Sequence, residues 1–451
     1  MASSLEQIFK AYDIRGIYPD ELDEATAKRI GNAFARFTGA GHVVVGRDMR
    51  PSSEPLAAAF IEGVILAGAD VTDLGLASTD LVYFASGRLD APGAMFTASH
   101  NPPAYNGIKL CRARAAPVGQ DTGLREIRDA VASGYLERAE EPGKARRRDL
   151  LDEFAAHVRS FVDPAVLAPL RVVADTANGM GGLVLPRVLE GLPFEVTILY
   201  GELDGTFPNH PADPIQPENL VDLQKAVLES GAAVGLAFDG DADRVFLVDD
   251  HAQPLSGSTT TAIVAKGILE RAGPGEHVVH NLICSRTVPE VIREMGGIPV
   301  RSRVGHSFIK QVMAETNAIF GGEHSGHYYF RENWRADSGL IAALVVLEQL
   351  SRAGVPLSEL RRPFERYAAS GELNTRVDDP QAVIERVAAA YPDATQDRLD
   401  GLTVSYPDWW FNLRPSNTEP LLRLNLEAAD PKTCEARTAE VLAIIKGGSP
   451  R

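Results

Sequence analysis

Cysteine is scarce in this chain of 451 residues. Only three cysteines occur, Cys111, Cys284 and Cys434, and they are far apart, with no CxxC pair. Such spacing offers neither a disulfide framework nor a zinc site. Reduced thiols are typical of the cytosol, so we predict a cytoplasmic protein.

Long apolar runs and an excess of basic charge are also lacking. The longest apolar stretch, Leu340 to Leu347, is too short to span a membrane, and the amino terminus has no basic segment followed by an apolar run. The formal net charge of −16 opposes binding to nucleic acid and to anionic membranes. We therefore expect neither as a partner, and an anionic small substrate would need a local basic cluster.

What the chain does contain is a repeated alternation of β-type and helix-type segments. It predicts three similar α/β domains, residues 1–145, 146–249 and 250–358, followed by an α+β domain at 359–451. A highly charged stretch, residues 137–148, is interpreted as a solvated connector. The predicted strands include residues 42–46, 71–74, 94–97, 171–175, 195–199, 234–238, 277–279 and 318–320.

Ser99 lies in a loop, Thr97 to Pro103, that directly follows one of these strands. A serine at the carboxyl end of such a strand stands where α/β folds bind ligands. The sequence Asn101-Pro102-Pro103 prevents a regular helix from following, so we expect a stiff loop that projects Ser99 outward. Taken alone, however, the tetrapeptide Ser99-His100-Asn101-Pro102 is better explained as an ordinary Asn-Pro turn.

Three aspartates, Asp239, Asp241 and Asp243, alternate in a tight turn between two apolar strands, and Arg244 follows them. Carboxylates this close would repel one another unless a cation lies among them. Oxygen ligands without His or Cys neighbours favour Mg²⁺, and the spacing does not fit an EF-hand. Arg244 could neutralise the carboxylates or bind a phosphoryl oxygen.

Two further loops carry polar groups. Glu323, Ser325 and His327 alternate with small residues after a predicted strand, a row suited to sugar hydroxyls, although a plain Gly-rich turn is equally compatible. The last loop has the basic cluster that an anionic substrate needs, and it predicts a phosphate site. Its candidate groups are Arg414, Ser416, Asn417, Thr418 and Arg423.

Taken together and in this order, the four loops resemble the α-D-phosphohexomutase superfamily over essentially the whole chain. The Ser99 and Asp239–Arg244 motifs are similar to its phosphoserine and magnesium loops, and the segment 9–16, with Tyr12 and Arg15, is similar to its amino-terminal signature. The third loop resembles that of phosphomannomutases and of bifunctional phosphomannomutase/phosphoglucomutases. Segments 280–283 and 304–307 look closest to actinobacterial members.

The resemblance implies four domains around a central active-site cleft, each giving one loop. It implies Mg²⁺ held by Ser99 and the three aspartates, with a hexose 1,6-bisphosphate intermediate that must turn end over end. Lys109 is implied to assist proton removal, for which its pKa would have to be lowered, and a purely electrostatic role stays open. His100 would support the serine loop, and His306 is either an acid/base or a structural histidine.

Several alternatives remain open at the level of sequence. Phosphoglucosamine mutases usually carry Met where this chain has His324, which disfavours that activity. A magnesium-dependent sugar phosphatase would use the same serine and metal, and a non-catalytic sugar-phosphate sensor would not need them. The sequence leaves the oligomeric state as a monomer or a small homo-oligomer.

Overall fold

The fold was analysed in a computed structural model that describes residues 2–415 and 421–447, without the side chains of residues 2–4 and 306. Four domains follow one another along the chain and are arranged around a central cleft, which confirms the predicted fold class. The limits of the domains stay a prediction. Among the described residues no single helix is long and apolar enough to cross a membrane, and one bent pair, Gly339–Ala353 with Leu357–Phe364 at 93°, passes that test by length and composition.

The first domain is a mixed sheet flanked by helices, with strand order β1-β5-β4-β2-β3-β7. Its helices are α1 (Ala2–Ile8), α2 (Glu24–Thr38), α3 (Ser53–Leu66), α4 (Thr79–Leu89) and α5 (Leu124–Ala132). Its strands are β1 (Ile14–Ile17), β2 (His42–Arg47), β3 (Asp70–Leu76), β4 (Gly93–Phe96), β5 (Tyr105–Arg112), β6 (Ala116–Pro117) and β7 (Ala145–Arg147).

The charged stretch at residues 137–148 is only partly the predicted connector. Its Ala145–Arg147 segment forms β7, which pairs in parallel with β3 at the edge of the sheet. An edge strand needs a partner on one side only, and its side chains stay exposed here. Charge alone therefore did not exclude a strand.

The second domain repeats the pattern, with sheet order β11-β10-β8-β9. The predicted strands at 171–175, 195–199 and 234–238 match the observed ones to the residue. Its elements are α6 (Leu151–Arg159), β8 (Arg171–Asp175), α7 (Gly181–Leu189), β9 (Glu195–Leu199), α8 (Val221–Ser230), β10 (Val234–Phe238) and β11 (Val245–Asp249).

The third domain has sheet order β13-β12-β14-β15-β16. The strand predicted at 318–320 instead begins at Phe320 and runs through two glycines. At Gly322 there is no space for a side chain, since a Cβ would lie 2.4 Å from Thr261 in the helix Gly257–Ala272. Its elements are α9 (Gly257–Ala272), β12 (His277–Asn281), α10 (Thr287–Glu294), β13 (Ile298–Ser302), α11 (His306–Thr316), β14 (Phe320–Gly322), β15 (Tyr328–Phe330), β16 (Ala336–Asp337), α12 (Gly339–Ala353) and α13 (Leu357–Leu360).

The last domain is an antiparallel sheet, ordered β17-β21-β20-β19-β18, with two helices packed on it. Its apolar core is separate, whereas one continuous core runs through the first three domains. Its elements are β17 (Ala368–Arg376), α14 (Pro380–Ala390), β18 (Thr395–Asp397), β19 (Leu402–Ser405), β20 (Trp409–Pro415), β21 (Leu421–Ala428) and α15 (Pro431–Ile445).

Candidate active site

Each of the four polar loops connects two antiparallel neighbours in its own sheet. The pairs are β4 with β5, β10 with β11, β14 with β15 and β20 with β21. In the first three of these loops, whose residues are described, paired strands fix both ends of a short connection, so the polar side chains are held in a defined place although the loop itself has little regular structure.

Ser99 faces the loop of the second domain that carries Asp239, Asp241 and Asp243, called the metal loop here because a metal is predicted to bind there. Its side chain is 5% exposed, and its Oγ donates a hydrogen bond of 2.7 Å to Asp239 Oδ2. The loops touch through their backbones as well, since a Cβ at Gly240 would lie 2.4 Å from the Ser99 carbonyl oxygen. The loop projects outward from its own sheet, as expected. Ser99 nevertheless lies in the interior, between the first two domains.

Two arginines hold the serine loop in place. Arg15 donates to the Asn101 side chain and to the Ala98 carbonyl oxygen, and it pairs with Asp13 at 2.5 Å. Arg50 donates to the Ser99 carbonyl oxygen at 2.9 Å and to further carbonyls of the same loop. Ser99 itself has a φ of 49°, a left-handed conformation that a non-glycine residue adopts at a cost.

The three aspartates form a compact, fully buried cluster. Their oxygens lie within 4.8 Å of one another, and Asp241 Oδ1 and Asp243 Oδ1 have no hydrogen-bond partner among the described residues. Burial raises the pKa of Asp239, and the neighbouring carboxylates add to the rise despite the opposing charge of Arg244. Orphaned oxygens in an all-carboxylate set are what a hard divalent ion would satisfy, so the residues fit Mg²⁺.

Lys109 and Thr79 reach the same cluster from the first domain. Lys109 Nζ lies 2.7 Å from Asp241 Oδ2 and 2.6 Å from Asp243 Oδ2, and Thr79 Oγ1 donates to Asp241 Oδ2 at 2.5 Å. Although burial opposes it, the two carboxylates raise the pKa of Lys109 well above its usual value. These ion pairs oppose the lowered pKa that a general base requires, and a cation bound among the carboxylates would weaken them.

His100 stays neutral beside Ser99. Burial and the charges of Arg244 and Arg15 lower its pKa to about 2. Arg244 Nη2 lies 2.7 Å from His100 Nδ1 and, because a guanidinium can only donate, Nδ1 must be the acceptor. The Ser99 hydroxyl, 3.2 Å from that nitrogen, therefore receives no proton from it. Arg244 Nε also donates to Asp239 at 2.9 Å.

Glu323 in the third loop is buried and held by three donors. Tyr329 Oη donates to Oε1 at 2.6 Å, and Asn281 Nδ2 and the Gly305 amide donate to Oε2 at 3.2 and 3.3 Å. A carboxylate has about four acceptor positions, so one remains for a ligand hydroxyl.

His327 turns from the third loop towards the metal loop. Its Nδ1 lies 3.1 Å from Ser325 Oγ, and its Nε2 lies 4.0 Å from Asp243 Oδ1. His327, Asp243 and Asp337 form a second group close enough to hold an ion, and the buried ammonium of Lys310 lies 2.8 Å from Asp337. Because a hard divalent ion prefers oxygen ligands, the three aspartates fit such an ion better than this group, which includes an imidazole.

Arg414 and Arg423 face each other on adjacent strands of the last domain and share one carboxylate. Arg414 lies 3.0 Å and Arg423 3.3 Å from opposite oxygens of Glu372. The remaining candidates of this loop, Ser416, Asn417 and Thr418, lie outside the described residues, as does the side chain of His306.

Tyr12, from the first domain, packs edge-on against Phe308 of the third domain, with the ring centroids 6.1 Å apart. Burial raises the pKa of its hydroxyl, with Arg303 and Arg414 opposing and Asp400 and Glu323 reinforcing the rise. The charges of both loops are therefore felt at this side chain.

Several residues of the site were not predicted from the sequence. A partial signal existed for Arg50, which follows the end of β2 as Ser99 follows β4, and for Thr79, which starts helix α4. No spacing rule points to Tyr329 or Glu372, because their partners become neighbours only through strand pairing.

Known proteins share this architecture along the whole chain. Four family models of the phosphoglucomutase/phosphomannomutase type match it: alpha/beta/alpha domain I at residues 6–138, domain II at 151–253, domain III at 256–367 and the C-terminal domain at 372–444. A protein of Xanthomonas campestris pv. campestris described as "Phosphohexose mutases" is 43% identical over 97% of this chain and 99% of its own length. A phosphomannomutase of Salmonella montevideo is 41% identical over 97% and 98%.

A crystal structure of a phosphoglucomutase/phosphomannomutase family protein from Burkholderia thailandensis superimposes with a TM-score of 0.90 at 32% identity, covering 100% of both chains. The actinobacterial subtype stays a prediction. With relatives this similar over nearly its full length, the chain belongs to the phosphoglucomutase/phosphomannomutase family and is an enzyme, a phosphotransferase of the isomerase class.

Proposed function

We propose that this enzyme is a phosphomannomutase that also acts as a phosphoglucomutase, interconverting hexose 1-phosphate and hexose 6-phosphate through a phosphorylated Ser99. One observation carries the proposal. The Ser99 hydroxyl lies 2.7 Å from Asp239, a residue 140 positions away, inside a buried carboxylate cluster with orphaned oxygens. A serine that only formed a turn would have no need of such a neighbour.

Asp239, Asp241 and Asp243 would hold Mg²⁺ together with an oxygen of phosphorylated Ser99. The ion, when bound, would supply positive charge to the phosphoryl oxygens during transfer. Arg244 lies beside both Asp239 and His100, so its guanidinium would bind the same phosphoryl group.

The proposed reaction has two transfers of opposite direction. In the first, the bond between phosphorus and Ser99 Oγ breaks and that oxygen takes up a proton, while a bond from phosphorus to a free hydroxyl of the sugar monophosphate forms and that hydroxyl loses its proton. The resulting hexose 1,6-bisphosphate turns over in the cleft. In the second, its other phosphoryl group passes to Ser99 Oγ, which loses its proton, and the departing sugar oxygen regains a proton.

The proton acceptor is one of two candidates, Lys109 and His306. The two short ion pairs of Lys109 favour an electrostatic role, since a lysine paired with carboxylates gives up its proton reluctantly. His306 is then the better candidate for acid/base work.

The sugar must be held equivalently in two orientations. Glu323 and Ser325 would bind the hydroxyls at C3 and C4, with His327 beside them. The last-domain loop, namely Arg414, Ser416, Asn417, Thr418 and Arg423, would bind the phosphate that is not reacting, and Tyr12 and Arg15 would line the cleft opposite. Mannose and glucose differ at C2, outside this grip, so we expect loose specificity.

An assay of mannose 1-phosphate and glucose 1-phosphate, each with Mg²⁺ and a trace of the matching bisphosphate, tests the activity. We expect both to be converted to 6-phosphates with comparable kcat/KM. A far lower value for the mannose substrate would contradict a phosphomannomutase, and conversion confined to glucosamine phosphate would favour a phosphoglucosamine mutase.

Intact mass tests the covalent carrier. We expect a phosphate-sized excess in the wild-type protein after incubation with bisphosphate, lost in Ser99→Ala together with nearly all turnover. Stoichiometric release of inorganic phosphate without isomerised product would instead indicate a phosphatase. Normal turnover by Ser99→Ala would contradict the proposed phosphoserine mechanism.

A further inference from the structure

Arg50 is one of the largest fully buried side chains of the described protein. It lies just beyond the end of β2 with 1% exposure. Arginines are almost never fully buried without partners, so its contacts indicate what it does.

The Arg50 guanidinium donates most of its hydrogen bonds to backbone carbonyl oxygens of the serine loop and of the first residue of β5. Nη1 donates to the carbonyl oxygens of Pro102 at 2.8 Å and Tyr105 at 3.0 Å. Nη2 donates to those of Ser99 at 2.9 Å and Asn101 at 2.6 Å. One side chain thus binds four carbonyls of the loop that connects β4 to β5.

The remaining faces of Arg50 are closed by other groups. Nε lies 3.3 Å from Asp48, which balances the charge. From the second domain, the Phe207 ring lies 5.0 Å from the guanidinium carbon, and a Cβ at Gly205 would lie 2.4 Å from the Arg50 Cα. The hydrogen bond to the Ser99 carbonyl oxygen is therefore fully buried, which strengthens it, and the other three are partly buried.

The carbonyl of Ser99 is the most informative of these partners. Ser99 is held at a φ of 49°, and this conformation aims its Oγ at Asp239. A loop with a left-handed serine relaxes unless its surroundings over-determine it. Nη1 and Nη2 of Arg50 supply that restraint, because they bind the carbonyl oxygen of Ser99 and three carbonyl oxygens after it.

We propose that Arg50 is a positioning residue for phosphoryl transfer, which fixes the backbone of the serine loop so that Ser99 Oγ faces the metal-binding carboxylates. Its hydrogen bonds and its ion pair go to backbone carbonyls and to Asp48 rather than to the groups proposed to bind the sugar or the metal. The proposal rests on the proposed function of Ser99 as phosphoryl carrier.

The planar fork of Arg50 is essential to this role. A guanidinium presents donors in a fixed plane, so it can bridge two pairs of carbonyls, whereas a lysine ammonium is a compact point charge. Arg50→Lys therefore keeps the charge beside Asp48 and loses the bridging. Arg50→Ala leaves a space that a free guanidinium ion can fill.

The test compares Arg50→Lys, Arg50→Ala and Ser99→Ala with a matched control, Arg88→Ala. This control removes an exposed arginine whose one ion pair within the described part of the chain is with Glu153. For each variant we would measure melting temperature, kcat and KM for the hexose 1-phosphate, and hydrogen exchange of peptides covering residues 97–105. Arg50→Ala is assayed again with millimolar guanidinium chloride, with sodium chloride as the salt control.

Both Arg50 variants are expected to lose about 100-fold or more in kcat, the cost of a misplacement of about 1 Å, with KM changed by less than about threefold. Exchange should rise in residues 97–105 and stay unchanged in strands β10 and β11. Guanidinium should restore at least a tenth of the lost turnover to Arg50→Ala, and none to Ser99→Ala.

A folded Arg50→Lys with wild-type kcat, or unchanged exchange at residues 97–105, would overturn the proposal, as would a lower melting temperature with normal kcat. If Arg50→Ala does not fold, Arg50→Lys decides alone. The proposed function fails separately, by turnover in Ser99→Ala, and the exchange data then still report whether Arg50 fixes the loop.

Discussion

Replacement of Thr79 by Val is expected to weaken magnesium binding without removing any metal ligand. Val is close to Thr in shape, so the change deletes the hydrogen bond of 2.5 Å from the Thr79 hydroxyl to Asp241 Oδ2 and little else. Both residues are fully buried. The backbone hydrogen bond of 3.1 Å from the Thr79 amide to the Asp241 carbonyl is unaffected.

The magnitude follows from the contacts of Asp241. A buried hydrogen bond to a carboxylate contributes about 1.5–3 kcal/mol, and losing a partner that orients a metal ligand typically lowers metal affinity about 10- to 100-fold. Lys109 still donates to the same oxygen at 2.7 Å, so the carboxylate keeps part of its orientation. We therefore expect the lower end, about 10-fold.

Calorimetric titration with Mg²⁺ measures this effect directly, and Thr79→Ser is the matched control because it retains the hydroxyl. The Ser variant should bind Mg²⁺ nearly as the wild type does. A dissociation constant of the Val variant within about twofold of wild type would refute the reasoning. Equal weakening in both variants would assign the effect to the methyl group instead.

Burial raises the pKa of Asp80 to about 7 from 3.8, so the folded state keeps a proton that the unfolded chain releases, and stability should fall as pH rises between about 4 and 7. Asp80→Asn should flatten denaturant-measured stability over that range, removing on the order of 4 kcal/mol of pH dependence; an unchanged slope would contradict this. Tyr329→Phe should raise the KM for hexose phosphate about 10-fold, because Glu323 loses its donor at 2.6 Å, with unchanged steady-state constants as the contrary result. Glu372→Gln should alter the affinity for the distal phosphate, because Arg414 loses its counter-charge at 3.0 Å; product-inhibition constants identical to wild type would exclude the effect.

The strands that carry the site were predictable because their patterns are local. Three of the four second-domain strands were placed to the residue, and the three aspartates were recognised as a cluster from alternation within one turn. The apolar strands on both sides favoured a buried location, and burial of adjacent carboxylates is enough to suggest a cation.

Contacts between domains were out of reach of the same reasoning. Lys109 was expected near the serine, but its two ion pairs join residues 132 and 134 positions apart, and no local pattern indicated Asp241 and Asp243 as its partners. Likewise, His327 approaches Asp243 from another sheet. The hydrophobic periodicity of a sequence does not predict such distances, since they depend on how whole domains pack.

The close approach of Gly240 to the Ser99 carbonyl has a mechanical consequence. There is no space at Gly240 even for a methyl group, so the backbones of the first two domains are in direct contact at this point. This backbone contact keeps Ser99 next to the Asp239–Asp243 turn for as long as the two loops stay packed together. If Ser99 carries the phosphoryl group as proposed, the domain movements that admit a sugar and let it turn would have to occur elsewhere in the cleft, and both phosphoryl transfers would take place over the same distance.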